Sequence, residues 1–281
     1  IEIGGGGGGG VGGGAGGSDG AVAVGVLYLD LHPRPGKQGH AALYTLRGGR
    51  KATRAGGSEA FGLVDGGAPD ELMLHLPAAA LVCDIGGPVD RPALLAHSQL
   101  ETLHHELGHA LHALTARTEF QHFAGVRTAP DFVEAPSTLL ENWAWEPAAL
   151  CSWARHRTTR APLPHASAAR LLASRYAFIG IETQRQALRC LADLRLHLEP
   201  AAHSPPETTA LVAALTANHS SLPQPHSSPQ WHGSFRHLAS YGGGYYTYLW
   251  ARALSRRVWR DAFERDPLGG SAGARWCDAV L

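Results

Sequence analysis

The sequence predicts a mainly α-helical domain that carries a small β-element. Two observations indicate this class: apolar, β-branched stretches are confined to the N-terminal third, and apolar residues recur at helical spacing from Pro92 onward. The 281 residues, of which 44% are hydrophobic, are long enough to bury a sizeable core. Residues 1–20 differ, because glycine dominates them and a glycine tract buries nothing. We therefore predict a disordered segment over 1–20 and a structured domain over 21–281.

The β-element is predicted from three stretches of the N-terminal third. Residues 21–31 (AVAVGVLYLDL) and 40–46 (HAALYTL) are apolar and rich in β-branched or aromatic residues, and turn-forming residues fill 33–38 between them. Residues 72–82 predict a further strand. The region 218–230, rich in proline, serine and histidine, predicts a loop. Helices are predicted at 98–116, 136–156, 166–178, 181–198, 207–217 and 244–264.

Charge and cysteine usage exclude several classes of protein. Lys+Arg and Asp+Glu both number 24, whereas a protein that binds nucleic acid through phosphates would show a basic excess. No run approaches the ~18 to 20 apolar residues of a membrane span. The four cysteines form no CxxC pair, so neither a disulfide scaffold nor a thiolate metal site is expected. The sequence starts without methionine and contains no targeting peptide, so we expect a piece of a longer chain.

The predicted helix 98–116 separates apolar residues from histidines. A capping box, Ser98-Gln-Leu-Glu101, predicts that the helix begins there. One face, about 80° wide, carries leucines, and the opposite side carries histidines. The leucines are Leu100, Leu103, Leu107, Leu111 and Leu114, and the histidines are His105, His109 and His112. The pattern is typical of a helix that anchors one face in the core and uses the other to bind a ligand.

Residues 105–109 (HELGH) form an HExxH motif. His105 and His109 are one helical turn apart, so both rings can reach one zinc ion. Glu106, beside the metal, can take a proton from the attacking water and return it to the leaving amine. The motif also arises by chance in helices, where the histidines are structural. We interpret His112 as a supporting or core histidine.

A catalytic zinc usually has a third protein ligand and an open position. The metzincin pattern would need glycine and histidine where this chain has His112 and Thr115, so that class is excluded. Glu119 follows too soon for the chain to turn back, whereas Glu134 lies at the predicted start of the next helix and can return to the metal. Glu141, two turns later, can orient a ligand histidine. The alternative for Glu134 is a carboxylate favoured by the helix dipole.

Residues 241–248 (YGGGYYTY) place tyrosines around three glycines. A phenol can donate a hydrogen bond to a developing oxyanion without neutralising a metal ion. We favour this role for Tyr248, and for Tyr245 and Tyr246 we favour packing of an aromatic helix start against the core.

Three stretches resemble one known family. HHELGHALHALTARTEFQHFAGVRTAPDFVEAPSTLLENWAWE (104–146), LYLDLHPRPGKQGHAA (27–42) and FRHLASYGGGYYTYLWARAL (235–254) closely resemble the thimet oligopeptidase family of zinc metallopeptidases. The resemblance implies a zincin-type helical catalytic domain with a small β-element near its active site. It also implies that one zinc is held by His105, His109 and Glu134 with Glu106 as the base. Tyr241, Tyr248 and, by approximate match, His237 would contact the substrate.

Two branches of that family resemble different parts of the chain. RTEFQHFAGVR (117–127) is nearer to the branch, with plant members above all, that removes an octapeptide from imported mitochondrial precursors, whereas LENWAWE (140–146) is nearer to general oligopeptidases. The resemblance implies a monomer that cleaves short or unfolded peptides or precursor proteins. Its location would be the mitochondrial matrix or, alternatively, the cytoplasm or a plastid. Family members are longer than 281 residues, so a partial catalytic domain is expected.

Two hypotheses in which the chain is not a catalyst stay open. In one, the chain is an inactive fragment stabilised by zinc. In the other, the glycine tract and the histidines form a metal-buffering surface, which predicts several weak metal sites instead of one tight site.

Overall fold

The computed structural model describes residues 2–5, 23–37, 39–53, 72–85, 95–198, 205–222 and 231–280. The chain divides into two compact units. The first comprises 1–128, 136–144 and 262–281, and the second comprises 129–135 and 145–261. The mainly helical class with a small sheet is confirmed. Within the described residues, no helix combines the length and the apolar character that crossing a bilayer requires.

A four-stranded sheet lies in the first unit. Its strands are β1 (Glu2–Gly5), β2 (Val26–Asp30), β3 (Ala42–Arg47) and, later in the chain, β6 (Ala78–Val82). Their order is β1-β2-β6-β3, with β1, β2 and β6 parallel and β3 antiparallel to β6. Glu2–Gly5 fall in the stretch predicted to be disordered and instead pair with β2, whereas 6–22 lie outside the described residues.

A separate antiparallel pair consists of β4 (Arg50–Thr53) and β5 (Leu72–His75). The single strand predicted over 72–82 is therefore wrong, because the chain breaks between β5 and β6. Pro77, which has no N–H to donate to a ladder, stands at the break, and its carbonyl accepts the Val26 amide at 3.0 Å. The sequence did not predict β4, whose Arg-Lys-Ala-Thr composition carries little strand signal.

Helix α1 (His97–Thr115) packs against the sheet. Ala110, Ala113 and Leu114 share the buried core with Leu27 and Leu81, and Leu103 and Leu107 pack at its edge. The predicted leucine face is thus confirmed in its central part.

The start of α1 differs from the prediction. The Ala96 amide donates to Gln99 Oε1 at 2.9 Å, and Ser98 lies inside the first turn, where its carbonyl accepts the Thr102 hydroxyl at 3.0 Å. The capping box at Ser98–Glu101 is therefore wrong: the Gln99 side chain satisfies the first backbone donor two residues earlier.

Helix α2 (Glu134–Leu140) begins at the end of the segment 129–135 and continues into the first unit, where a 3₁₀ turn (Glu141–Ala144) follows it. The predicted helix 136–156 is divided, because Pro147 starts α3 (Pro147–Trp153) with Glu146 Oε1 accepting the Ala148 amide at 3.2 Å.

The second unit is built largely from helices. Besides α3 they are α4 (His165–Arg175), α5 (Ile179–Leu198), α6 (Pro205–His219), α7 (Trp231–Ser234), α8 (His237–Ser240) and α9 (Thr247–Val258). The predicted helix 244–264 begins only at Thr247, since the preceding glycines form a turn, and it passes into a π-helical turn at Trp259–Phe263. Helix α10 (Gly270–Val280) belongs to the first unit. Residues 223–230 of the predicted loop lie outside the described residues.

Candidate active site

The HExxH residues and Glu134 come together at α1 and the start of α2. The rings of His105 and His109 lie 4.9 Å apart between centroids, as expected for residues one turn apart. One donor atom from each histidine and one from Glu134 all lie within 4.8 Å of one another, and all three residues are half-buried. The predicted placement of Glu134 at a helix start is confirmed.

This cluster fits a metal ion by its donor chemistry. Two imidazoles and one carboxylate form the donor set of a catalytic zinc site. His105 Nδ1 lies 2.7 Å from Glu141 Oε1, so Nε2 is the nitrogen left for a metal. A carboxylate on the far nitrogen fixes the tautomer and the orientation of a ligating ring. The predicted contact of Glu141 with one of the two histidines is therefore present, and its supporting role stays a prediction.

Close backbone packing holds α1 against α2. A Cβ added at Gly108 would lie 2.5 Å from Ser137 Cα and 2.8 Å from the Pro136 carbonyl oxygen. Ser137 is fully buried. Glycine at 108 thus allows α2 to lie this near to α1.

Two further titratable groups of α1 are buried beside the cluster. Glu106 is 8% exposed, and its charge adds to the effect of burial in raising the pKa of the Cys83 thiol at the end of β6. His112 is 4% exposed, and burial, assisted by His109, lowers its pKa to about 4. His112 is outside the donor cluster, in agreement with its interpretation as a core histidine.

His237, Tyr241 and Tyr248 are brought together in the second unit. Tyr248 Oη and His237 Nε2 share a hydrogen bond of 3.1 Å, and the rings of His237 and Tyr241 are 5.9 Å apart. Between α8 and α9 the chain turns through Gly243, whose φ of +76° is a left-handed conformation that favours glycine. The Tyr241 side chain is largely exposed.

Tyr248 is a neutral phenol. Burial raises its pKa to about 12, and the negative charge of Glu134, in the same unit, adds to this. A hydroxyl that keeps its proton can donate a hydrogen bond to a developing oxyanion. Tyr248 and Glu134 are therefore within electrostatic reach of each other.

The remaining tyrosines of the segment, Tyr245 and Tyr246, differ in how far they are buried. Tyr245 is buried and donates its hydroxyl to Gln186 Oε1 at 2.7 Å, so its packing role is confirmed. Tyr246 is 42% exposed, so the packing prediction is wrong for it: it lies on the outer side of the turn before α9.

The residues that hold this segment were not predicted from the sequence. They lie on α5 and contact residues 235–245: Gln186, Arg189, Asp193 and His197. Their spacing of three, four and four residues places them on one helix face. That pattern was visible in the sequence, but nothing in the sequence indicated what the face would contact.

Comparison with known proteins agrees with this geometry. Residues 19–281 match the model of peptidase family M3. The chain is 38% identical to a protein named mitochondrial intermediate peptidase from Botryotinia fuckeliana, over 90% of this chain and 34% of that protein. It is also 38% identical to the Arabidopsis thaliana protein of that name, over 89% of this chain and 33% of the other. The chain thus spans about a third of the length of these curated relatives, and the resemblance seen in the sequence is confirmed.

Proposed function

Because this chain belongs to peptidase family M3, we propose that it is the catalytic part of a zinc metalloendopeptidase that hydrolyses short or unfolded peptides. The observation that carries the proposal is the cluster of His105, His109 and Glu134. The family implies a metal cofactor, and a half-buried set of two nitrogens and one oxygen suits zinc. When bound, the zinc ion supplies Lewis acidity toward the peptide carbonyl and makes water more acidic.

Glu106 is the proposed general base. Its carboxylate is buried on α1 between the two histidines, where it can accept a proton from the attacking water and then donate it to the leaving amine. Positioned acid–base catalysis contributes ~10² to 10⁴ in rate. Glu141, hydrogen-bonded to His105, holds that ring in the orientation that binding requires.

Tyr248 is the proposed donor to the negative charge that develops on the carbonyl oxygen. Its raised pKa keeps the phenol protonated, and its hydrogen bond to His237 fixes the hydroxyl. His237 acts by orienting Tyr248 and contacting substrate, and the exposed Tyr241 binds a substrate carbonyl. The family resemblance of residues 235–254 supports these three roles.

Processing of imported precursors is the proposed biological task. The relatives described above are named mitochondrial intermediate peptidase, so we propose precursor peptides as substrates and the mitochondrial matrix as the location. A general oligopeptidase is the second candidate, which the resemblance of 140–146 favours. Competition between a precursor protein and a short free peptide separates the two candidate functions. A processing enzyme cleaves the precursor at one site, whereas a general oligopeptidase cleaves the free peptide.

The decisive experiment measures zinc content and hydrolysis of a quenched fluorescent peptide for the wild type and Glu106→Gln. We expect about one tightly held zinc in both and activity only in the wild type. Glu119→Gln is the matched control, because Glu119 is an exposed carboxylate outside the cluster. Equal activity of wild type and Glu106→Gln would refute the mechanism, and several weak metal sites would favour the metal-buffering surface.

A further inference from the structure

One face of α5 is devoted to the tyrosine segment. Gln186, Arg189, Asp193 and His197 project within about 80° of one another, given 100° per residue. Gln186 accepts the Tyr245 hydroxyl, and the Arg189 guanidinium lies 5.3 Å from the centre of the Phe235 ring. The other two side chains of this face contact the turn itself.

Asp193 binds the backbone of the turn with both carboxylate oxygens. Oδ1 accepts the Gly243 amide at 2.9 Å, and Oδ2 accepts the Tyr245 amide at 2.8 Å. The residue has no exposed surface. Hydrogen bonds from amides to an ionised carboxylate are about twice as strong as neutral ones, so one buried side chain fixes two points of the turn.

His197 adds a second attachment. Its Nδ1 lies 2.9 Å from Asp193 Oδ1, and its Nε2 lies 3.0 Å from the Leu238 carbonyl oxygen in α8. The ring therefore bridges the buried carboxylate and α8 through its two nitrogens. The ring also occupies the space beside Gly242, where a Cβ would come within 2.4 Å of Nε2.

The turn is linked to Tyr248 through contacts with Tyr245. The Tyr245 carbonyl accepts the Tyr248 amide at 3.4 Å in the first turn of α9, and the rings of Tyr245 and Tyr248 lie 5.2 Å apart. Tyr245 is thus fixed at its amide by Asp193 and at its hydroxyl by Gln186. A shift of the turn would move the Tyr248 hydroxyl away from His237.

We propose that Asp193 and His197 are positioning residues that hold Tyr248 in its catalytic orientation. The inference rests on the proposed function, since it takes Tyr248 as the donor to the developing charge. Neither residue needs to touch substrate: Asp193 fixes the turn, and His197 links the Asp193 carboxylate to α8.

A double-mutant cycle tests the coupling to Tyr248. Asp193→Asn is expected to lower kcat ~10- to 100-fold, the cost of a small misplacement, with little change in KM or zinc content. In a Tyr248→Phe background the same substitution is expected to cost almost nothing further. Asp261→Asn, which removes an exposed carboxylate of the same unit, is the matched control and leaves kcat unchanged. Effects of Asp193→Asn and Tyr248→Phe that multiply would overturn the proposal.

Hydrogen exchange tests the positioning without any assay of activity. The Gly243 and Tyr245 amides are expected to exchange at least about tenfold faster in Asp193→Asn, and to keep wild-type protection in Asp261→Asn. His197→Gln, which keeps the buried carboxylate, is also expected to speed exchange of these two amides. It serves as the second test if Asp193→Asn does not fold. Unchanged protection of both amides in the two variants would overturn the positioning role. If the wild type hydrolyses no peptide, the proposed function fails, whereas exchange still decides whether Asp193 holds the turn.

Discussion

The metal-donor region and the tyrosine segment are held in place by different means. On α1 and α2, the backbones approach closely at Gly108 and Ser137, because the atoms nearest to a Cβ added at Gly108 are backbone atoms. The segment around Tyr241–Tyr248 has an exposed tyrosine and a glycine turn, and side chains of α5 hold its backbone. Close helix packing dominates in the first region, whereas contacts from α5 side chains, above all the two hydrogen bonds to Asp193, dominate in the second.

This difference matches the two chemical tasks that we propose. Metal ligands must keep fixed separations, which close helix packing supplies because interiors tolerate little change in volume. A donor to the substrate must be oriented yet accessible, which a turn anchored at a few points allows. Helix-packing substitutions in the first region should therefore affect stability and metal binding together, whereas loss of the Tyr248 hydroxyl in the second should affect turnover alone.

Gly108→Ala should have the largest effect. The added Cβ meets backbone atoms of α2 that cannot rotate away, so we expect a loss of about 3 kcal/mol in the free energy of unfolding, together with weaker zinc binding. Gly180→Ala is the matched control, because nothing lies within 4 Å of its Cβ position on α5, and a small gain is expected there. Denaturant titration of both variants measures the difference, and equal stability would contradict the close approach of the two helices.

Tyr248→Phe should show most clearly that the second region affects turnover without affecting metal binding. Loss of one oxyanion donor is expected to lower kcat ~10²- to 10³-fold, while zinc content and the melting temperature stay near wild type. Tyr246→Phe removes an exposed hydroxyl two residues earlier and should leave kcat unchanged. Steady-state kinetics of the two variants decide the matter, and similar losses in both would argue against a specific role for Tyr248.

Glu141→Gln should weaken zinc binding ~10- to 100-fold, as loss of an outer carboxylate on a ligand histidine usually does. Competition with a chelator measures the affinity. Glu119→Gln, at an exposed carboxylate, should bind zinc as the wild type does. A wild-type affinity in Glu141→Gln would mean that packing alone orients His105.

His112 should make the stability of the metal-free protein depend on pH. Its pKa is lowered to about 4 by burial and by His109, against ~6.5 when unfolded. The unfolded state therefore binds more protons between these values, and the free energy of unfolding should fall by about 2 kcal/mol as pH drops from 7 to 4.5.

Urea unfolding at the two pH values checks this prediction. His112→Gln should lose this part of the pH dependence, whereas His219→Gln, at an exposed histidine, should retain it. The same pH dependence in both variants would assign the effect to other groups.

The two regions also differ in how far the sequence could predict them. The spacing of His105 and His109 is a property of one helix, and Glu134 could be located because Pro136 indicates a helix start, so local signals were sufficient. The predicted cap of α1, Ser98, lies two residues after the observed cap, because the Gln99 side chain accepts the Ala96 amide. The contact of Asp193 with the turn had no local signal, since the two amides that it binds are 50 and 52 residues away.

The face of α5 has a consequence for variation in length. Each inserted residue rotates everything after it by 100°, so one extra residue between Gln186 and Asp193 would leave a complete helix whose carboxylate points elsewhere. Exchanges of side chains on the other faces of α5 leave this rotational phase intact. Homologous chains that keep the tyrosine turn should therefore keep the number of residues between the four contact positions, even where exposed positions of α5 vary in composition.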